Sequence, residues 1–162
     1  MKHLILVRHG KSSWDNEVSD MDRPLKEIGV LDAHRVAGHF AKLKIEVQAV
    51  YSSPAIRALH TCVIFLRSLS IPFNHFSLTH ELYDFSGEQV MQFLKSLPDS
   101  VVTVMVFGHN HAFTALANTL GNSYIENVPT SGLVHLKFDT NKWTTLSKGT
   151  TENILFPKEL RL

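Results

Sequence analysis

The sequence predicts an α/β fold: a three-layer α/β/α sandwich with a mostly parallel central sheet and an antiparallel edge. Three observations point to it. Short apolar, β-branched runs alternate with segments of helical periodicity, as βαβ units do. The run at 101–107 is apolar almost throughout, which suits a strand covered on both faces. Near the end of the chain the pattern becomes strict alternation, Val134, Leu136 and Phe138 against His135, Lys137 and Asp139, which suits an antiparallel edge.

Leu4-Ile5-Leu6-Val7 opens the chain as a buried strand. Residues 25–43 form a helix by spacing, with Ile28, Val36, Ala37, Phe40 and Leu43 largely on one side. A short strand follows at 48–51. Ser53 and Pro54 then read as the N-cap and first position of a second helix. On it Ala55, Leu59, Cys62, Leu66 and Leu69 make an apolar stripe, so Cys62 reads as core rather than as a reactive thiol. Residues 72–78 are extended. Ser86-Gly87-Glu88-Gln89 has the spacing of a capping box, and Val90, Phe93, Leu94 and Leu97 continue that helix. After the strand at 101–107, a helix at 111–120 stops at Gly121. The strand at 133–139 turns at 140–142 towards 143–148, its expected antiparallel partner. Residues 10–24 have no regular pattern, and so long a loop in a compact domain is usually functional.

The 162 residues suit one domain, 1–162. With 44% hydrophobic and 19% charged residues the composition is that of an ordinary globular chain, not a disordered tail or a coiled coil. A net charge of +1 gives no basic excess to hold nucleic acid or an acidic membrane, so neither is an expected partner. The apolar run after Lys2 is too short for a signal peptide, and 101–107 is too short to span a bilayer. One cysteine allows no intrachain disulfide, so a reducing cytoplasm is the expected setting.

In open α/β sheets ligands bind at the carboxyl ends of the strands. The first strand is followed by Arg8-His9-Gly10, the second by Ser52-Ser53-Pro54 with Arg57 beyond, and the 101–107 strand by Gly108-His109-Asn110-His111. Two arginines and two histidines thus come to one edge, next to helix N-termini that favour anions. Guanidinium forks match phosphate oxygens. A neutral imidazole can attack phosphorus. A protonated His109 would add charge beside Arg8 and Arg57, and the Gly10 carbonyl would fix the tautomer of His9. Taken singly, each residue has a plain structural reading: His9 as the end of a strand, Arg57 as a surface helix arginine, His109 as a cap. Convergence of three strand ends favours the functional one.

Arg8-His9-Gly10, Ser52-Ser53-Pro54-Ala55-Ile56-Arg57-Ala58 and Gly108-His109-Asn110, in this order, resemble the motifs of the histidine phosphatase superfamily, the phosphoglycerate-mutase-like fold. The resemblance implies that His9 is the phosphorylated nucleophile, that Arg8 and Arg57 bind the phosphoryl group, and that His109 completes the pocket. Ser12 and Trp14 are similar to mutases, but Lys11 and Asp15 depart from the mutase pattern and the chain is shorter. Lys11-Ser12-Ser13-Trp14, Asp22-Arg23-Pro24-Leu25 and the ending Phe156-Pro157-Lys158-Glu159-Leu160 are similar to the SixA-like phosphohistidine phosphatase branch. That branch implies a phosphorylated substrate such as a phosphohistidine-carrying signalling protein, with Arg23 and Ser12 near the phosphate; a plain turn explains Asp22-Arg23-Pro24 equally well. Larger members of the family place an acid after the second helix, which by position is Glu81, with Asp84 second.

The expectation is a phosphatase working through phospho-His9, with no cofactor or metal. Alternatives are a small-molecule phosphomonoesterase of the same superfamily and a phosphate-binding module without catalysis. A metallohydrolase is a further reading, prompted by His109-x-His111 and ten histidines, but carboxylates with ligand spacing are missing beside that pair.

Overall fold

The computed structural model describes residues 1–161. Six strands form one sheet: β1 (Lys2–Arg8), β2 (Ala49–Ser52), β3 (Phe76–Leu78), β4 (Thr103–Gly108), β5 (Leu133–Phe138) and β6 (Thr150–Leu155). Their spatial order is β3-β2-β4-β1-β5-β6. The first four in that order run parallel, while β5 pairs antiparallel with β1 and β6 antiparallel with β5. The helices are α1 (Glu27–Ala41), α2 (Ile56–Ser68), α3 (Glu88–Lys95), α4 (Ala112–Leu120) and the short α5 (Pro157–Leu160). Among the described residues no helix is long and apolar enough to cross a membrane.

Alternation along the central strands builds two cores. Leu4 and Leu6 of β1, with Val104 and Val106 of β4, face α3 and α4 through Val90, Leu94, Phe113 and Leu116. Ile5 and Val7, with Met105 and Phe107, face α1 and α2 through Val36, Phe40, Cys62 and Phe65. Each such side chain contributes about 1.5–3 kcal/mol when fully buried. Four in a row on β1 therefore hold the strand firmly between β4 and β5.

Several element boundaries differ from the sequence expectation. Residues 143–148 do not form a strand. Trp143–Thr145 is a 3-10 turn that buries Trp143 completely, with its indole N–H donating to the Val101 carbonyl at 2.8 Å. The partner of β5 is instead β6, whose Thr-Thr-Glu-Asn-Ile-Leu carries little apolar alternation because it is the outermost strand and half exposed. Helix α2 starts at Ile56, after an N-cap at Ala55, so Ser53 and Pro54 precede it; the Ser53 hydroxyl accepts from the Ala55 N–H. Helix α3 is not opened by a Ser86 capping box. Gly87 is its N-cap, at φ 103°, and the Asp84 carboxylate accepts from the N–H groups of Gly87, Gln89 and Val90. Helix α1 is also trimmed, because Leu25 and Lys26 are extended and tied to the preceding loop.

Candidate active site

The ends of β1, β2 and β4 are locked side by side. Arg8 pairs with Gly108 and Ser52 with Phe107 in register. One residue further, the His9 N–H donates to the Gly108 carbonyl at 3.1 Å and the Ser53 N–H to the Phe107 carbonyl at 2.9 Å. Helix α1, which follows β1, packs on one face, and α4, which follows β4, on the other. The chain thus diverges between these two neighbouring strands, the topological switch that opens a ligand crevice in α/β sheets.

His9 lies in this crevice, 7% exposed. Its Nδ1 is 2.7 Å from the Gly10 carbonyl. A carbonyl only accepts, so Nδ1 carries the hydrogen and Nε2 keeps its lone pair. Burial pushes the His9 pKa down to about 3; the Gly10 contact opposes this, and the Arg57, Arg8 and Arg23 charges add to it. At neutral pH the ring is uncharged. Gly10 is pressed against α1: a Cβ there would lie 2.8 Å from the Gly29 carbonyl oxygen. Its N–H donates to Thr61 Oγ1 at 2.9 Å, and Thr61 in turn donates to the Arg57 carbonyl at 2.7 Å.

Two arginines flank the ring. Arg8 Nη1 donates to the Val128 carbonyl at 2.9 Å. Arg57, 3% exposed, is held by Asp20: Nη1 donates to the Asp20 carbonyl at 2.6 Å and Nη2 to Oδ2 at 2.9 Å. The buried Nε atoms of both arginines have no partner. Burial lowers the Arg8 pKa, and the Arg57 charge lowers it further, so the two cations crowd one another and favour an anion between them.

His109 completes the cluster, its ring centroid 5.3 Å from that of His9. Its Nε2 is 2.8 Å from Ser53 Oγ and its Nδ1 3.5 Å from Arg57 Nη2. The expected protonated His109 is not what the surroundings favour. Burial first, then the His9 and Arg57 charges, push its pKa down to about 3, so it is neutral until a bound anion offsets those charges. Tyr83 and Phe85 wall it in, with ring centroids 5.3 and 4.9 Å away.

The other predicted residues are placed differently. Arg23 joins the pocket's rim: Nη1 reaches Asp20 Oδ1 at 3.2 Å, Nη2 donates to Ser12 Oγ at 2.6 Å, Nε to the Ser13 carbonyl, and Trp14 lies against the guanidinium. Ser12 thus acts as an acceptor for Arg23. Glu81 is exposed and takes its hydrogen bond from Thr79, with none to His9, His109 or either pocket arginine. Asp84 spends its carboxylate on the α3 N-terminus. Burial alone would raise its pKa, but the N–H groups of Val90, Ser86 and Gly87 and the Ser86 hydroxyl outweigh this and keep it low. His111 is exposed beside the start of α4. Among the described residues no group of three or more His, Cys, Asp or Glu side chains is arranged to hold a metal.

Asp20 and Thr61 were not singled out by the sequence. Asp20 sits in a loop without periodicity, and Thr61 is one of several small residues on α2. The Asp20 carboxylate accepts from Arg57, Arg23 and, at 2.6 Å, the Tyr83 hydroxyl. Its partial burial works against ionisation, but the Tyr83 bond and then the two arginines bring its pKa down to about 2.

A sheet-end pocket of two arginines and two histidines has the chemistry to hold a phosphoryl group. Residues 4–99 match the model of the histidine phosphatase superfamily, branch 1, and the chain belongs to that superfamily. An uncharacterized chloroplastic protein of Arabidopsis thaliana is 30% identical over 156 residues, covering 88% of this chain and 69% of its own. Among solved structures, the protein histidine phosphatase SixA complexed with tungstate superposes with a TM-score of 0.83 at 24% identity, covering 98% of this chain and 99% of its own. The putative phosphohistidine phosphatase SixA from Agrobacterium tumefaciens gives 0.78 at 23% identity, covering 95% and 97%. These two share the fold.

Proposed function

We propose that the chain is a metal-independent phosphatase that works through phospho-His9 and acts on protein phosphohistidine. The observation that carries this is the His9 Nδ1–Gly10 carbonyl contact, which leaves a neutral Nε2 lone pair near the buried Arg57 and the half-buried Arg8. In the first step Nε2 attacks phosphorus. The bond from phosphorus to the substrate breaks, and its electron pair leaves with the substrate's nitrogen. Arg8 and Arg57 neutralise the charge spread over the phosphoryl oxygens. In the second step water attacks phosphorus, the electron pair of the P–Nε2 bond returns to His9, and the water's surplus proton leaves with the phosphate.

The choice of phosphohistidine over an ester rests on the carboxylates. An alkoxide leaving group needs a positioned acid. Glu81 is turned away to Thr79, Asp84 caps α3, and Asp20 is ionised at neutral pH. An imidazole leaving group takes up a proton near neutrality by itself and needs such an acid less. The likeness to the SixA structures supports the same choice. The test is brief incubation with labelled phosphohistidine protein and an alkaline quench. Acid-labile label should appear on the wild type and not on His9→Ala, and normal turnover by His9→Ala would end this reading.

A further inference from the structure

We propose that the Asp20 carboxylate selects N-phosphorylated imidazole over phosphate esters by accepting the N–H of the leaving ring at the mouth of the pocket. This rests on the function proposed above and adds the residue that sets its substrate class.

The placement comes first. His9 and Arg57 are buried, whereas the Asp20 side chain is 43% exposed on the solvent side of Arg57. In an in-line displacement the leaving group departs opposite the nucleophile. With His9 at the floor, departure is towards the mouth, where Asp20 stands with Tyr83. The hydrogen-bond capacity comes second. A carboxylate has about four acceptor positions. Three are filled, Oδ2 by Arg57 and Tyr83 and Oδ1 by Arg23. The remaining position is on Oδ1 of a half-exposed group, where an incoming donor can reach it.

The charge decides what that donor is. Arg57, Arg23 and Tyr83 stabilise Asp20 as an anion, so it accepts and does not protonate. A phosphorylated imidazole carrying a proton on its distal nitrogen presents an N–H to Oδ1. As His9 Nε2 bonds to phosphorus, the P–N electron pair moves to the ring, which leaves as neutral imidazole with that proton still in place. Without the carboxylate the proton is held less firmly, and loss of it would force departure as an imidazolate. An ester in the same position builds negative charge on its leaving oxygen, close to a fixed negative charge.

The test compares kcat/KM for phosphoimidazole and phenyl phosphate in wild type, Asp20→Asn and Asp20→Ala. Changes in phosphoryl binding through Arg57 affect both substrates alike and cancel in the ratio. Both variants should lower the ratio of phosphoimidazole to phenyl phosphate by about tenfold or more, as loss of a charge-assisted hydrogen bond does. An unchanged ratio, or an equal loss on both substrates, would overturn the proposal and leave Asp20 as a positioning residue for Arg57. The acid-labile label on His9 separates the two ideas. If wild type forms it while the ratio stays constant, selection by Asp20 fails alone. If wild type forms it with neither substrate, the function falls and takes the selection with it.

Discussion

Thr61 Oγ1 accepts the Gly10 N–H at 2.9 Å, and this bond ties the loop of the candidate nucleophile to α2. The same hydroxyl donates to the Arg57 carbonyl, so one side chain sets the position of both the Gly10 carbonyl and the arginine backbone. Thr61→Val keeps the shape and removes both bonds. It leaves the Gly10 N–H buried without a partner, which should cost about 1–3 kcal/mol of stability. Turnover should fall by roughly tenfold as His9 loses its fixed tautomer. Thr61→Ser should restore both. Urea unfolding and kcat on the two variants decide it; a fully active Thr61→Val would remove the link.

Arg57 and Arg23 should separate in kinetics. Arg57 is buried against His109, whereas Arg23 is spent on Ser12, Ser13 and Asp20 beneath Trp14. Arg57→Ala should lower kcat/KM by about 3 kcal/mol, roughly a hundredfold. Arg23→Ala should act mainly through the loop and cost less. Steady-state rates on phosphohistidine protein check the order, and a reversal would mean that Arg23 carries the phosphoryl contact.

The two carboxylates of the Glu81–Asp84 segment should behave oppositely. Asp84→Ala unties four backbone N–H groups, those of Ser86, Gly87, Gln89 and Val90, and should destabilise the fold by about 2 kcal/mol. Glu81→Gln should leave stability and phosphohistidine turnover within about twofold, since general-acid help is not needed for this leaving group. A large loss of turnover in Glu81→Gln would return that residue to the acid role.

Acid should destabilise the protein through its histidines before its carboxylates. Burial is the first cause holding His9 and His109 at about 3 and His135 at about 4. An unfolded histidine titrates near 6.5 (an ordinary value of about 6.5), so between that pH and the folded values the unfolded chain binds more protons. Stability is then full above the unfolded value and falls as the pH drops through this window. Asp20, held at about 2, adds its loss only at lower pH, below the ordinary carboxylate range. The urea midpoint should drop between pH 7 and pH 5, and less steeply in His135→Gln. A flat midpoint would contradict the buried neutral state.

The parts of the site that the sequence made legible are those fixed by local order along the chain. An apolar run followed at once by Arg8-His9, or by Gly108-His109, needs only the end of a strand to place its residues, and register does the rest. Cys62 was legible as core for the same reason, since helical spacing alone buries it. What escaped depends on contacts across the chain. Asp20 meets Arg57 at a separation of 37 residues and Tyr83 at 63, and nothing in Ser19-Asp20-Met21 signals either. Residues 143–148 look like a strand by pattern, yet Trp143 is drawn under the sheet by the Val101 carbonyl and a cation from Lys2. The polar strand that takes its place in the sheet has no periodicity to read.

Placing His9 directly after β1 has a consequence for the timescales of motion. Strand β1 lies between β4 and β5, with Leu4 through Val7 wholly buried, so its amide hydrogens should exchange with solvent only when the whole domain opens. The segment around Asp20 is a single 3-10 turn with no buried residue, and its amides should exchange through local opening. The candidate pocket would then have a floor that stays fixed over hours and one wall that rearranges many times in between. Deuterium uptake by peptides covering residues 2–9 and 15–23 should differ accordingly, and a phosphate analogue should slow only the second.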